Sequence, residues 1–306
     1  MEHATPKHRF DYENAGRLTG DLARASWLID QTAWSLCPLL PIPDPDFTDQ
    51  LRRHTHGARM EPEVAKGWVR AGRHSIEGFT HAHTTFAVGV ESFMSSAIQR
   101  ATRVFSLPHT YYHVPDLCEL LPRTHHTEVP QEPSLCILEL PTPHHPTTEV
   151  TRLIGELKDM GHRVVIDMTF MPVARERITV DVSGADEIWI SMNKAWDTGS
   201  LRPAWRFSHE PVLDPLTLAH QRQRYSQDAL AAWCHMVEAH GYDDVFDQHA
   251  ATYDHVCARF DLTPTNNLLA ARKKGITWEP MYTPNWNYND LVGTHNLIAH
   301  KDRHFW

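Results

Sequence analysis

The chain has 306 residues, 41% of them hydrophobic, which is enough to bury a core of one large domain and a smaller one. Acidic residues outnumber basic residues by 38 to 29, and the net charge of −9 argues against nucleic acid or an anionic membrane as a partner. No apolar run approaches the roughly 20 residues of a membrane helix, and the polar N-terminus has no secretory signal. These features predict a soluble, cytoplasmic protein.

Cysteine and histidine usage bears on metal binding. The five cysteines are scattered without a C-x-x-C pair, which is typical of reduced thiols in a core. Among the 23 histidines, His54 with His56 and His81 with His83 form H-x-H pairs, which would share one face of a strand as metal ligands sometimes do. Because no spacing matches a known zinc pattern, we expect no metal site. A histidine-rich metal-binding protein using His81 and His83, on a degenerate fold, is kept as an alternative.

The N-terminal region predicts little regular structure. Residues 1–47 form an arm and a connector, and the connector (CPLLPIPDPDF) carries four prolines that exclude a helix. We therefore predict a large domain over residues 48–210. Helical patterns over residues 216–239 and 244–260 then predict a linking helix and a smaller C-terminal α+β domain over residues 211–306.

The middle of the chain alternates between two kinds of pattern. Helical segments are predicted at residues 89–101 and 148–160. Apolar, β-branched runs predict strands at residues 103–107, 134–140, 162–167, 188–190 and 202–207. This alternation favours an α/β fold with a mostly parallel central sheet flanked by helices. In such sheets, ligands bind at the carboxyl ends of the strands.

Three charged residues follow strand ends. Lys194 comes just after a buried strand, where burial would lower its pKa and free its amine to attack a carbonyl. Asp167 ends the preceding strand, and Arg202 could hold a phosphate through two hydrogen bonds. Pyridoxal 5′-phosphate (PLP) requires a lysine for a Schiff base, a carboxylate that keeps its pyridine nitrogen protonated, and cations for its phosphate. The alternative is a surface lysine after an edge strand.

A glycine turn precedes the first of these helices. Gly89, Val90, Glu91 and Ser92 open it, and the free backbone amides of a helix N-terminus form a natural seat for a phosphate. An ordinary helix N-cap would leave the same pattern. The four residues are nevertheless our candidates for a phosphate-binding turn.

A family resemblance rests on the lysine segment. Ser191-x-x-Lys194, followed by Arg202, resembles the S-x-x-K-x7-R segment of the aspartate aminotransferase superfamily, the fold-type I PLP-dependent enzymes. The resemblance covers about residues 79–207. It implies that Lys194 and Asp167 are catalytic, and that Ser191, Arg202 and the turn at Gly89 bind the phosphate.

The resemblance extends to other positions and departs at two. Tyr111, with Tyr112 as an alternative, follows a strand where the family stacks an aromatic ring on the cofactor. His145 stands where the family has an asparagine that donates to the ring oxygen, and Phe170 stands where a tyrosine is common. Arg303 corresponds to the late arginine that grips a substrate carboxylate in many relatives; a surface arginine in a chain end is the alternative.

The resemblance implies a PLP-dependent enzyme that acts on the α-amino group of an amino acid. The first expectation is an aminotransferase with a 2-oxo acid as second substrate and Lys194 as the base that moves the Cα proton. A lyase, a decarboxylase or an oxidase on the same fold is the alternative, because the outcome depends on which Cα bond lies perpendicular to the cofactor ring and on which base is near. The family also implies a homodimer.

Overall fold

A computed structural model describes residues 62–109, 111, 113–142, 144–192, 194–195, 201–259, 261–273 and 291–293. The arm and connector predicted over residues 1–47 lie outside these ranges, as do the first residues of the predicted large domain. The three-part division of the chain therefore stays a prediction.

Helices and strands alternate along most of the described chain. The helices are α1 (Pro62–Arg70), α2 (Val90–Gln99), α3 (His113–Leu120), α4 (Thr147–Asp159), α5 (Pro215–Gln221), α6 (Gln227–Ala239) and α7 (Asp244–Arg259). The strands are β1 (Ser75–Glu77), β2 (His83–Val88), β3 (Arg103–Ser106), β4 (Thr124–His126), β5 (Leu135–Glu139), β6 (Arg163–Asp167), β7 (Thr179–Asp181), β8 (Glu187–Ser191), β9 (Pro203–Ser208), β10 (Leu262–Pro264), β11 (Ala270–Lys273) and β12 (Leu291–Gly293). No helix within the described ranges is long and apolar enough to cross a membrane.

The central sheet has seven strands in the order β2-β9-β8-β6-β5-β3-β4. Strands β4, β3, β5, β6 and β8 pair in parallel, and β9 runs antiparallel to its two neighbours β8 and β2. The carboxyl ends of β5, β6 and β8 therefore meet at one edge of the sheet. The predicted α/β fold with a mostly parallel sheet is confirmed.

Both faces of the sheet are covered, which explains why its strands are apolar without alternation. Val164 and Ile166 of β6 pack in the same core layer as Trp233 of α6. Between them, Val165 points to the opposite layer and shares it with Phe93 of α2. Each such side chain contributes about 1.5–3 kcal/mol by leaving water, so the two layers hold the strand ends of the site in place.

The C-terminal part begins with two helices where the pattern predicted one. Asp214 caps α5 by accepting a hydrogen bond from the Thr217 amide (2.8 Å), and Ser226 caps α6 by accepting one from the Ala229 amide (3.1 Å). Between the helices, Gln223 has a φ of 54°, a left-handed conformation that a continuing helix does not allow. The small sheet β10-β11-β12 is antiparallel, and it follows α7 as expected for an α+β segment.

A buried ion pair joins the sheet to α5. Arg206 of β9 donates to both carboxylate oxygens of Asp214, at 2.7 and 3.1 Å, and both side chains are almost fully buried. Arg206 also donates to the hydroxyls of Thr217 (2.6 Å) and Thr85 (3.2 Å). The carboxylate thus neutralises a charge that would otherwise be costly inside the core.

Candidate active site

A small cleft lies at the carboxyl ends of β5, β6 and β8. It forms where the parallel strands stop and their connecting loops diverge, which is the usual ligand position in an open α/β sheet. The residues lining it are Val90, Glu91, Tyr111, Asp167, Thr169, Phe170 and Lys194. The structure therefore brings together five of the ten predicted cofactor-binding residues, namely Val90, Glu91, Tyr111, Asp167 and Lys194.

Lys194 reaches the cleft from the loop after β8. Its Nζ lies 5.6 Å from the ring centroid of Tyr111 and 5.5 Å from that of Phe170. Burial lowers the pKa of Lys194 below its ordinary value, and the charge of Arg202 adds to this effect, although the charges of Glu91 and Asp167 oppose it. A lowered pKa increases the fraction of free amine, which is the nucleophilic form.

Asp167 is the last residue of β6 and is buried. One of its carboxylate oxygens accepts a hydrogen bond from the Thr169 amide at 2.9 Å. Burial raises the pKa of Asp167 to about 6, and the charge of Glu91 adds to the increase. A positively charged group bound beside this carboxylate would therefore be stabilised by it.

Glu139 is a second buried carboxyl group near the cleft, and it was not among the predicted site residues. It ends β5 in register with Asp167 on β6, and its carboxyl accepts a hydrogen bond from the Tyr111 amide. Burial raises the pKa of Glu139 to about 8, and the neighbouring Asp167 raises it further. A single acidic residue at the end of the apolar run SLCILEL was the sequence signal that could have identified it.

We expect Glu139→Gln to change how stability depends on pH. The pKa of Glu139 rises from an ordinary 4.5 to about 8, so between these values the folded chain binds more protons than the unfolded chain. Stability therefore falls as pH rises, by up to about 1.4 kcal/mol per pH unit. The variant lacks this titrating group. Its free energy of unfolding relative to wild type, measured with urea, should therefore rise by roughly 2 kcal/mol between about pH 6.5 and pH 8. Glu156→Gln, at an exposed position, should show the same dependence of unfolding free energy on pH as wild type. If Glu139→Gln also shows the wild-type dependence, the raised pKa of Glu139 is contradicted.

The turn before α2 faces Arg202. Gly89 has a φ of 76°, a conformation that favours glycine, and its amide donates to the Arg202 carbonyl at 2.6 Å. Arg202 itself has a φ of 41°, which is uncommon for a residue with a side chain. Its guanidinium donates to the Glu91 carboxylate, which also accepts a hydrogen bond from the Tyr111 hydroxyl at 3.0 Å.

Besides Gly89 and Arg202, three further predicted cofactor contacts lie outside the cleft lining. His145 places its Nε2 2.6 Å from the Pro108 carbonyl oxygen, and its Nδ1 lies 3.7 Å from the Glu149 carboxylate. The hydroxyl of Ser191 donates to the Pro203 carbonyl at 3.1 Å, and that of Ser92 donates to the Val88 carbonyl at 2.7 Å. Their roles stay predictions, as does that of Arg303. Two of the predicted residues, Arg303 and Tyr112, lie outside the described residues.

His81 and His83, on which the metal-binding alternative rests, do not point to a common site. His81 is buried, its Nε2 lies 2.8 Å from the Ala185 carbonyl oxygen, and its ring stacks on His209 at 3.8 Å. His83 is exposed. Over the described ranges, no group of three or more histidine, cysteine, aspartate or glutamate side chains could hold a metal ion. His54 and His56 lie outside those ranges.

Comparison with known proteins gives the class to which this fold belongs. No family model matches the sequence, and no curated protein matches it. Solved structures that share the fold include aminotransferases and C-S lyases, some of them PLP-bound. The described chain therefore has the fold of the fold-type I PLP-dependent enzymes, which the sequence predicted.

Three of these structures show the extent of the likeness. Aspartate aminotransferase from Rhizobium meliloti is 12% identical, and the match covers 82% of this chain and 77% of that chain with a TM-score of 0.57. YbdL from Escherichia coli, described with a methionine aminotransferase function, is 16% identical over 83% of this chain and 81% of that chain, with a TM-score of 0.55. The PLP-bound C-S lyase from Staphylococcus hominis is 12% identical over 73% and 72%, with a TM-score of 0.53. At these identities the likeness concerns the fold.

Proposed function

We propose that this protein is a PLP-dependent enzyme that acts on the α-amino group of an amino acid. The observation that carries the proposal is the position of Lys194, a half-buried residue whose amine has a lowered pKa and shares one cleft with the buried carboxyl of Asp167. The two groups reach the cleft from neighbouring parallel strands, β8 and β6. A planar pyridine aldehyde requires an amine at one end and a carboxylate at the other.

Side chains in and beside the cleft suit the aromatic ring and the phosphate of this cofactor, with one exception. Tyr111 and Phe170 provide aromatic side chains close to the Lys194 amine, and aromatic faces suit a flat ring. The Nε of Arg202 is buried and has no hydrogen-bond partner in the described part of the chain. An unpaired buried donor beside a helix N-terminus fits an anion. The Glu91 carboxylate is the exception, because it is itself an anion at this position.

Each residue then has a role in the proposed reaction. When bound, PLP supplies an aldehyde and a protonated ring that accepts electrons from the substrate carbon. The Lys194 amine would hold the cofactor through its aldehyde. Lys194 would also be the base that moves the proton at the substrate Cα. Asp167 would keep the ring nitrogen protonated, and Tyr111 would cover one face of the ring.

Transamination is the first choice for the outcome, and product analysis tests it. The protein would be incubated with PLP and a panel of L-amino acids, with and without an added 2-oxo acid. An aminotransferase should form one new amino acid for each substrate converted, and only when the 2-oxo acid is present. Steady turnover without it, releasing a thiol, carbon dioxide or hydrogen peroxide, would instead support a lyase, a decarboxylase or an oxidase and would overturn transamination.

The partners of the enzyme belong to the same proposal. An amino acid and a 2-oxo acid follow from the proposed transamination. A homodimer follows from the family resemblance, because two subunits of such enzymes usually share their active sites. The cytoplasmic location likewise stays a prediction from the sequence, and size-exclusion chromatography with light scattering would test the dimer directly.

A further inference from the structure

The first turn of α2 has little room for an added anion. Two of its amides are already engaged, because Gly89 donates to the Arg202 carbonyl at 2.6 Å and Ser92 donates to the Gly89 carbonyl at 3.2 Å. The space in front of the turn holds the Glu91 carboxylate. A Cβ atom added to Gly89 would lie 2.7 Å from Oε2 of Glu91, so this side chain folds back against its own turn.

The Glu91 carboxylate has the contacts that a bound phosphate would seek. It accepts hydrogen bonds from the Arg202 guanidinium and the Tyr111 hydroxyl. Burial raises the pKa of Glu91, but its own backbone amide, the charge of Arg202 and the Tyr111 hydroxyl outweigh burial, and the net pKa lies below the ordinary value. Glu91 is therefore ionised at neutral pH. A phosphate monoester carries about 1.5 to 2 negative charges under the same conditions.

Two anions cannot share one arginine without cost. Like charges in a partly buried site repel more strongly than they do in water, and the helix N-terminus offers only about half a positive charge. We propose that the Glu91 carboxylate occupies the position in front of the Gly89 turn where the cofactor phosphate would bind, and that it competes with this phosphate for Arg202. Glu91 thereby weakens the preference of the site for PLP over pyridoxal, the same aldehyde without the phosphate. This inference rests on the proposed function.

Equilibrium binding of the two aldehydes tests the competition. Wild type, Glu91→Gln and Glu156→Gln would be titrated with PLP and with pyridoxal, followed by protein fluorescence and by borohydride trapping on Lys194. Glu156 is a matched control because its carboxylate also pairs with an arginine, Arg152, but on the exposed face of α4. Glu91→Gln should bind PLP at least about 10-fold more tightly than wild type, while its affinity for pyridoxal changes by less than about 2-fold. Glu156→Gln should match wild type with both ligands.

The outcomes separate this inference from the proposed function. If PLP is trapped on Lys194 but Glu91→Gln binds it no more tightly than wild type, the competition is overturned and the proposed function stands. If neither aldehyde is trapped on Lys194 in any of the proteins, both are overturned. Glu91→Ser is a second variant that also removes the charge, and it should show the same gain for PLP. Thermal melts would establish that the variants compared are folded.

Discussion

Replacing Lys194 with alanine is expected to abolish both turnover and covalent attachment of PLP. Among the described residues that line the cleft, only Lys194 has an amine that can form an imine with an aldehyde, and the same amine is the proposed base. Removing a residue with two such roles should reduce the rate on the order of 10³-fold or more. Turnover with an accepted amino acid and the visible absorbance of bound PLP would measure the two losses.

The fold should survive this change. Burial of a charged amine costs free energy, so the alanine variant should melt at a temperature equal to or above that of wild type. Lys158→Ala is the control, because Lys158 lies on the surface and pairs with Asp186. The control should keep its activity and its absorbance. Unchanged turnover in Lys194→Ala would contradict the mechanism.

Asp214→Ala is expected to cause the largest loss of stability, about 3–5 kcal/mol. The substitution leaves the Arg206 guanidinium buried without its carboxylate, and it also removes the N-cap of α5 and the acceptor for the Ser96 hydroxyl. Because domains of this kind are stable by about 5–15 kcal/mol, the variant should unfold at a clearly lower urea concentration.

An exposed ion pair provides the comparison for Asp214. Arg175 and Asp254 lie 3.2 Å apart with both side chains substantially exposed, and Asp254→Ala should cost less than about 1 kcal/mol. Equal midpoints for Asp214→Ala and wild type in urea would show that the buried pair contributes nothing net to the fold. If Asp214→Ala and Asp254→Ala lose the same free energy of unfolding, the loss comes from removing a negative charge and not from the burial of the ion pair.

The sheet could be predicted because its strands are continuous apolar runs. Runs such as Ile188 to Ile190 and Val164 to Ile166 are typical of strands in a sheet that is covered on both faces, and such sheets are commonly parallel. The predicted strand ends agree with the structure to within a few residues, so Asp167 and Lys194 were placed at the correct edge. The break between α5 and α6 was missed, although the Asp214 and Ser226 caps are visible in the sequence.

The details of the site depended on contacts between distant segments, which periodicity does not report. Glu91 was predicted to supply a backbone amide for a phosphate, and its side chain instead meets Arg202 from more than a hundred residues away. Glu139 became part of the site only through its register with Asp167. His145 was predicted from a sequence match alone, and its ring faces the carbonyl of Pro108.

Trapping with borohydride tests the central claim most directly. The protein would be mixed with PLP, reduced, digested and analysed by mass spectrometry. We predict about one phosphopyridoxyl group per chain, carried by the peptide that contains Lys194, and a marked loss of this label in Asp167→Ala. A label distributed over surface lysines, or absent from the Lys194 peptide, would contradict the account.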